Sequence, residues 1–421
     1  MSIITGRGIH PPLKKEPAAS RSIENIKSVS CIFVPLAYGE ARVCRPAVER
    51  GASVSRGDIL GTPIHPQDSP ALAPVNGVFL DTQTLQHPLC GSLTGVVLSD
   101  ITPAALPRRA AEPVDKLKAA DILSIARRAG VVDELDGIPL HEKLAAWKGA
   151  CAVLVANGVE AEPYASSAWA VLNEYAEQVK MGLELAARAV EAARIQVAVR
   201  LPGERRRPLA QRLGEDTLYA VRGSRYPVTK FSDAAPREAV GCIGVQACLA
   251  LYRAAAFGEG HCSCVVTVAG DAVATPKNIR VPFGTPVIDV LMHCGLAADP
   301  SYILLGDALT GVTATAEETP VLAGITCVLA MASRAVAKPG PCMGCGRCAQ
   351  VCHAGLLPYE IVRRLENMHY ERLASLLPEE CDGCGACSYI CPMGREVTAQ
   401  VLEAGHTGGT MYLNWGDEED A

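Results

Sequence analysis

Eight of the 18 cysteines lie in two short runs near the C-terminus. Cys342-Met-Gly-Cys345-Gly-Arg-Cys348-Ala-Gln-Val-Cys352 and Cys381-Asp-Gly-Cys384-Gly-Ala-Cys387-Ser-Tyr-Ile-Cys391-Pro392 share the spacing C-x2-C-x2-C-x3-C. Three thiolates at such intervals, with glycines that let the backbone wrap an inorganic core, hold three irons of a four-iron cubane. Structural zinc also takes four thiolates, but zinc ribbons separate their C-x2-C pairs widely and have no use for the crowded third and fourth cysteines.

The fourth ligand of each cubane comes from the other run in the two-cluster pattern. Cys342, Cys345, Cys348 and Cys391 are thereby expected to bind one [4Fe–4S] cluster, and Cys381, Cys384, Cys387 and Cys352 the second. Crossed ligation would make the two runs one folding unit. His353 stands where proline usually follows the fourth cysteine, whereas Pro392 keeps that position in the second run. The remaining cysteines, Cys31, Cys44, Cys90, Cys151, Cys242, Cys248, Cys262, Cys264, Cys294 and Cys327, lie singly or in loose pairs in apolar surroundings. They read as small buried hydrophobes. His10, His261, His293 and His353 have no mutual spacing that suggests a site.

The elements that must position this chemistry fall into segments. At roughly 150 residues per domain, 421 residues imply about three domains. Residues 1–105, rich in Gly, Pro and β-branched residues, read as a small β barrel or sandwich, with strands at Ile32 to Leu36, Ala52 to Val54 with Asp58 to Gly61, Ala73 to Val78 and Gly95 to Leu98. Asn76-Gly77 is a hairpin signal. Residues 106–255 alternate apolar runs with Ala-rich amphipathic stretches, as an α/β domain does. Strand Ala150 to Ala156, a helix from about Ser167 to Ala193 and strand Ile195 to Leu201 form a right-handed parallel unit. Asn157, Glu160 and Glu162 then lie past a strand's carboxyl end, where such sheets bind ligands. Residues 261–332 form an α+β module. A linker, Ser333 to Pro341, precedes the cysteine domain at 339–400 and an acidic tail at 401–421. The amphipathic stretch Pro358 to Leu376 is expected to pack against the preceding domains.

Composition excludes several classes. Aromatics are 5% and the net charge is −6, so there is neither a stacking platform nor a basic excess for nucleic acid. Met1 to Pro12 lacks the design of a signal peptide, so the chain reads as cytosolic, where thiols stay reduced. Its longest apolar stretch, Val321 to Ser333, is too short to span a bilayer, and no transmembrane segment is expected.

Gly8-Ile9-His10-Pro11-Pro12, Val34-Pro35-Leu36, the Asn157 to Tyr164 segment, Arg225-Tyr226-Pro227, the Val265 to Pro276 strand and turn, and the two cysteine runs occur in one order. In that order the chain resembles the RnfC-like family of the Rnf electron-transport complex and its relatives, including the cobalamin reductase of microcompartments. The resemblance implies an α/β multidomain fold: an N-terminal β barrel-sandwich hybrid, an α/β domain like the NADH dehydrogenase flavoprotein, a soluble-ligand-binding β-grasp (SLBB) module and a dicluster ferredoxin domain. It further implies redox partner proteins, in a membrane Rnf-type complex or a microcompartment, and a place in the cytoplasm, on the inner face of the membrane or inside a microcompartment.

Two departures bear on the flavin. The family's small-residue loop corresponds here to Ala129 to Pro139, which carries Asp133, Glu134 and Asp136, and its Asn-Val-x-Thr falls at Gly244-Val245-Gln246-Ala247. Acids where a phosphate should approach disfavour bound FMN. The expectation is an electron-transfer protein that relays single electrons through two [4Fe–4S] clusters, with no catalytic side chain singled out. The alternatives are an FMN-dependent NADH:acceptor reductase of the same family, with Asn157, Glu160 and Glu162 as cofactor ligands, and a docking scaffold whose clusters are only structural.

Overall fold

Alternation puts Ile32, Val34 and Leu36 on one face of strand Ile32–Tyr38 and Phe33 on the other. The first three enter a core with Leu60, Phe79 and Leu98, while Phe33 joins the core of the neighbouring module. The computed structural model describes residues 7–38, 41–102, 113–228, 231–297, 300–314, 318–332 and 339–415. The first sheet orders its strands Ser53–Val54, Asn76–His87, Gly91–Thr102, Ile32–Tyr38, Ala41–Pro46, Ile59–Pro63 and Ala71–Leu72, all antiparallel. Asn76-Gly77 does not turn. It opens a long strand because Asn76 Oδ1 accepts the Arg56 amide at 2.8 Å and Gly77 lies close against the Ser99 carbonyl. The hairpin turn falls instead at residues 88–90, before Gly91.

The α/β domain has four parallel strands in the order Leu218–Ala220, Arg194–Val199, Val153–Gly158 and Val240–Gly244. Helix Ser167–Val190 makes the expected crossover, ending before Glu191 in the left-handed region. Leu172, Val179 and Leu183 of this helix pack in one core with Leu154 and Val197 of the sheet. Helix Val245–Phe257 starts directly after the last strand and packs on the crossover helix. The carboxyl ends of two adjacent strands, at Gly158 and Gly244, therefore face one side, where ligands of such sheets bind.

The third unit is a six-stranded sheet, Glu24–Asn25, Lys277–Pro282, Ser263–Ala269, Cys327–Met331, Tyr302–Leu305 and Val312–Thr313, with helix Val287–His293. Its edge strand Glu24–Asn25 comes from the segment assigned by sequence to the barrel. That segment ties the units together. Gly8 N donates to the Val351 carbonyl and Ile9 N to the Tyr226 carbonyl, each at 2.9 Å, and the Ala19 carbonyl accepts the Trp169 indole at 3.1 Å.

Helices Arg347–Val351, Pro358–Glu366, Ala386–Tyr389 and Val397–Trp415 build the C-terminal unit. The stretch from Pro358 does not pack on the preceding domains as expected. Its apolar face, with Ile361, Val362 and Leu373, is consumed inside this unit by Val397, Val401 and Ala404 of the last helix. Contact with the rest runs instead through Ile9, Tyr226, Leu309, Val351, Cys384 and Ala386. Residues 401–415, expected to begin a tail, continue helix Val397–Trp415, while Asp417 to Asp420 and residues 333–338 of the expected linker lie outside the described residues. Among the described residues, no helix is long and apolar enough to cross a membrane.

Candidate metal centres and the loop facing the parallel sheet

Each cysteine run turns twice through left-handed glycines, Gly344 and Gly346 in the first, Gly383 and Gly385 in the second, at φ 69–75°. Any L side chain there would be strained. The turns curl the thiols inward and launch helices Arg347–Val351 and Ala386–Tyr389. The result is two cavities. One, of about 420 Å³, is lined by Cys342, Cys345 and Cys348 together with Cys391. The other, of about 360 Å³, is lined by Cys381, Cys384 and Cys387 together with Cys352. Three cysteines of one run and the last of the other thus face each space, and the donor set, four thiols around an apolar pocket, fits a four-iron cluster.

Burial pushes the Cys384 thiol up to about 12 and the Cys387 thiol up to about 11. Metal binding must therefore displace protons there. Thr398 lies 3.1 Å from the Cys387 sulfur and is itself bonded to Ser388 at 2.9 Å, a polar contact of the kind that tunes a cluster. His353 Nε2 lies 2.7 Å from an Asp382 carboxylate oxygen beside the second cavity. Cys342 and Cys345 are exposed, so the first cavity opens outward.

The strand-end residues are engaged within the fold. Asn157 Oδ1 accepts the Val159 amide at 2.9 Å, forming a local turn. Glu160 caps helix Ser167–Val190, accepting Ala168 N at 2.8 Å and Trp169 N at 3.2 Å. Burial raises its pKa, and Lys15 opposes that rise. Glu162 accepts Leu309 N at 2.6 Å and the Thr310 hydroxyl at 2.7 Å. The Tyr226 hydroxyl lies 3.0 Å from Glu162 and 2.6 Å from the carbonyl of Cys384. Sequence reading marked the segment around Tyr226 but not this role, because no local pattern links residues 158 positions apart.

On the same side of the sheet, the acidic loop folds onto the start of helix Val245–Phe257. Glu134 Oε1 accepts Gln246 N at 2.7 Å and Oε2 accepts Ala247 N at 2.9 Å, while Asp133 Oδ1 accepts Gly244 N at 2.9 Å. The carboxylate thereby takes the free amides of a helix N-terminus. A Cβ at Gly244 would lie 2.0 Å from the Glu134 carboxyl carbon, so any larger residue there would push the carboxyl group off its amides. Burial and neighbouring Asp133 push Glu134 up to about 8, against the pull of the helix amides. Lys143, absent from the sequence reading, neutralises the other two acids: its ammonium contacts Asp133 and Asp136. Burial would lower Lys143, but these carboxylates hold it above its ordinary value. Replacing Lys143 by methionine would leave Asp133, fully buried, without its counter-ion. The expected cost is about 3–5 kcal/mol, measurable by denaturant unfolding.

The chain matches, in order, models of the RnfC barrel sandwich hybrid domain over residues 4–101, the Nuo51 FMN-binding domain over 127–211, the SLBB domain over 265–312 and the 4Fe-4S dicluster domain over 341–395. It is 28% identical over 402 residues to the C subunit of the Na(+)-translocating ferredoxin:NAD(+) oxidoreductase complex of Acetobacterium woodii, covering 87% of this chain and 88% of the relative. Along most of its length the chain is similar to RnfC-type C subunits. Two other RnfC-type relatives are the C subunit of the ion-translocating oxidoreductase complex of Rhodobacter capsulatus, 27% identical over 88% of this chain and 76% of its own length, and that of the proton-translocating ferredoxin:NAD(+) oxidoreductase complex of Clostridium ljungdahlii, 25% identical over 83% and 82%. The RnfC-like fold has the expected architecture, including the α/β unit that matches an FMN-binding domain. The acidic loop of this chain does not fit FMN. A phosphate needs the amides that Glu134 holds, and the site already keeps a single carboxyl above its ordinary value, so a dianion would fare worse.

Proposed function

We propose that the chain is an iron–sulfur electron-transfer subunit of an Rnf-type oxidoreductase complex, holding two [4Fe–4S] clusters by crossed ligation and no flavin. The observation that carries this reading is the pair of cavities, each faced by three cysteines of one run and the fourth of the other. A four-iron cluster, when bound, supplies a one-electron couple. The rest is done by the chain. Cys381, Cys384, Cys387 and Cys352 form the seat nearest the body, and Tyr226 fastens that seat to the loop past the sheet through Cys384 and Glu162. Cys342, Cys345, Cys348 and Cys391 form the outer seat, where the exposed Cys342 and Cys345 leave a face open to a redox partner. An inner and an outer seat in one rigid unit give electrons a direct way between body and surface. By the relatives' names, the partners are the other subunits of a membrane Rnf-type complex, on which this chain sits peripherally.

The match to an FMN-binding domain favours a flavin-dependent reductase instead. In that reading Asn157, Glu160 and Glu162 would have to leave the hydrogen bonds that now build the fold. Anaerobically purified protein is expected to contain about 8 Fe and about 8 labile sulfides per chain, with neither flavin absorbance nor zinc. Stoichiometric zinc without sulfide would overturn the cluster reading.

A further inference from the structure

A cleft of about 430 Å³ opens where the barrel, the α/β domain and the β-grasp sheet meet, and it shares no lining residue with either cysteine cavity. Each unit contributes an arginine: Arg56 from the barrel, Arg253 from helix Val245–Phe257 and Arg280 from strand Lys277–Pro282. The guanidinium carbons of Arg253 and Arg280 lie 5.3 and 5.5 Å from the centroid of the same Tyr175 ring, so each sits in the other's field. The Tyr175 ring thus makes a cation–π contact with both guanidinium groups.

The charges do not cancel. The cleft holds one carboxylate, Glu259, 3.8 Å from Arg253. His261 offers no charge, since burial pulls it down to about 4, and its Nδ1 accepts the Val132 amide at 3.2 Å. Gln246 is spent on the backbone of Val265, at 2.9 and 2.6 Å. Arg56 reaches the Cys262 thiol. Among the described residues, the Arg280 guanidinium meets no hydrogen-bond acceptor and no carboxylate, only the Tyr175 ring. Two of the three positive charges are left without an opposing one. Burial above all pulls Arg253 below its ordinary pKa, Arg280 and Arg56 add to that pull, and Glu259 and Tyr175 oppose it. Folding pays this repulsion for nothing unless a doubly charged partner completes the cleft.

We propose that this cleft is an anion site for a phosphate group, either free phosphate or the terminal phosphate of a larger ligand reaching in from the open side. The planar forks of arginine match phosphate oxygens in pairs, and a phosphate brings the two negative charges that are missing. The site shares no lining residue with either cysteine cavity, and it borders the acidic loop, whose Val132 and Glu134 bond His261 and Gln246 of its wall.

The test uses the full cluster-loaded chain under anaerobic conditions, titrated with inorganic phosphate and, separately, with AMP as a phosphate monoester. Wild type is expected to bind phosphate with Kd below about 1 mM, and to melt at a higher temperature in its presence. Tighter binding of AMP would identify the ester as the source, and equal or weaker binding the free ion. Arg280→Gln should weaken binding by roughly tenfold or more, as loss of a charge-assisted contact does. Arg280→Lys should keep part of it, and Arg56→Gln gives the same reading should Arg280→Gln fail to fold. Absence of binding by wild type at about 10 mM phosphate, far above the expected Kd, would overturn the proposal, as would undiminished binding by folded Arg280→Gln or Arg56→Gln protein.

Discussion

Cys391→Ala is expected to empty the seat lined by Cys342, Cys345 and Cys348, leaving its own run's seat filled, and Cys352→Ala to empty the other. Each variant should fall from about 8 to about 4 Fe per chain. The cavities supply the reason: Cys391 lines the space of the first run, and Cys352 that of the second. Iron assay with paramagnetic resonance of the reduced variants distinguishes the two losses, and disappearance of the signal of the variant's own run would overturn the crossed assignment. Both variants should also unfold more easily. Cys348, Cys352, Cys381, Cys387 and Cys391 border one small core with Ile361, Leu373 and Val401, so ligand loss and core loosening are coupled.

Titration with FMN is expected to give no tight binding even at low salt. Glu134 occupies the amides of Gln246 and Ala247 at 2.7 and 2.9 Å, and a phosphate placed there meets a carboxyl group before it meets a donor. At an effective dielectric of about 20, each unit of like charge at about 4 Å costs on the order of 4 kcal/mol. Above about pH 8, where Glu134 is ionised, a phosphate with nearly two charges loses as much as the roughly 8 kcal/mol of a micromolar site, and below that pH the protonated carboxyl group still occupies the two amides. Asp133 and Asp136 add less than their number suggests, because Lys143 pairs with both. Steric exclusion and Glu134 carry the effect. A sub-micromolar FMN site abolished by changing Asn157 or Glu160 would instead install the flavin-dependent reductase.

The parts that read correctly from sequence are those with a short period. Cysteine spacing defined the two runs, and the pattern strand, long helix, strand defined the parallel unit that the registers of Val153–Gly158 and Arg194–Val199 display. Contacts between distant residues were not legible. Glu134 meets Gln246 and Ala247 more than a hundred residues away, and only the joint appearance of an acid in the loop and a glycine at 244 hints at it. Glu160 sits eight residues before the amide it caps, beyond the spacing of an ordinary N-cap, so it read as a ligand rather than a cap. The stretch from Pro358 shows a clean apolar face, but periodicity cannot tell which neighbour covers that face. Asn76-Gly77 has hairpin chemistry, yet the Arg56 amide and the Ser99 carbonyl draw it into a strand.

If both seats hold redox-active clusters, the chain itself must take up and release electrons. An anaerobic reductive titration of the full chain, followed by electron paramagnetic resonance, tests this most directly. Two reversible signals of reduced [4Fe–4S] clusters, together accounting for about two spins per chain and returning to silence on reoxidation, are the expected result. A chain that keeps its iron and sulfide but shows no reversible signal would contradict the relay and leave the clusters as structural supports of a docking scaffold.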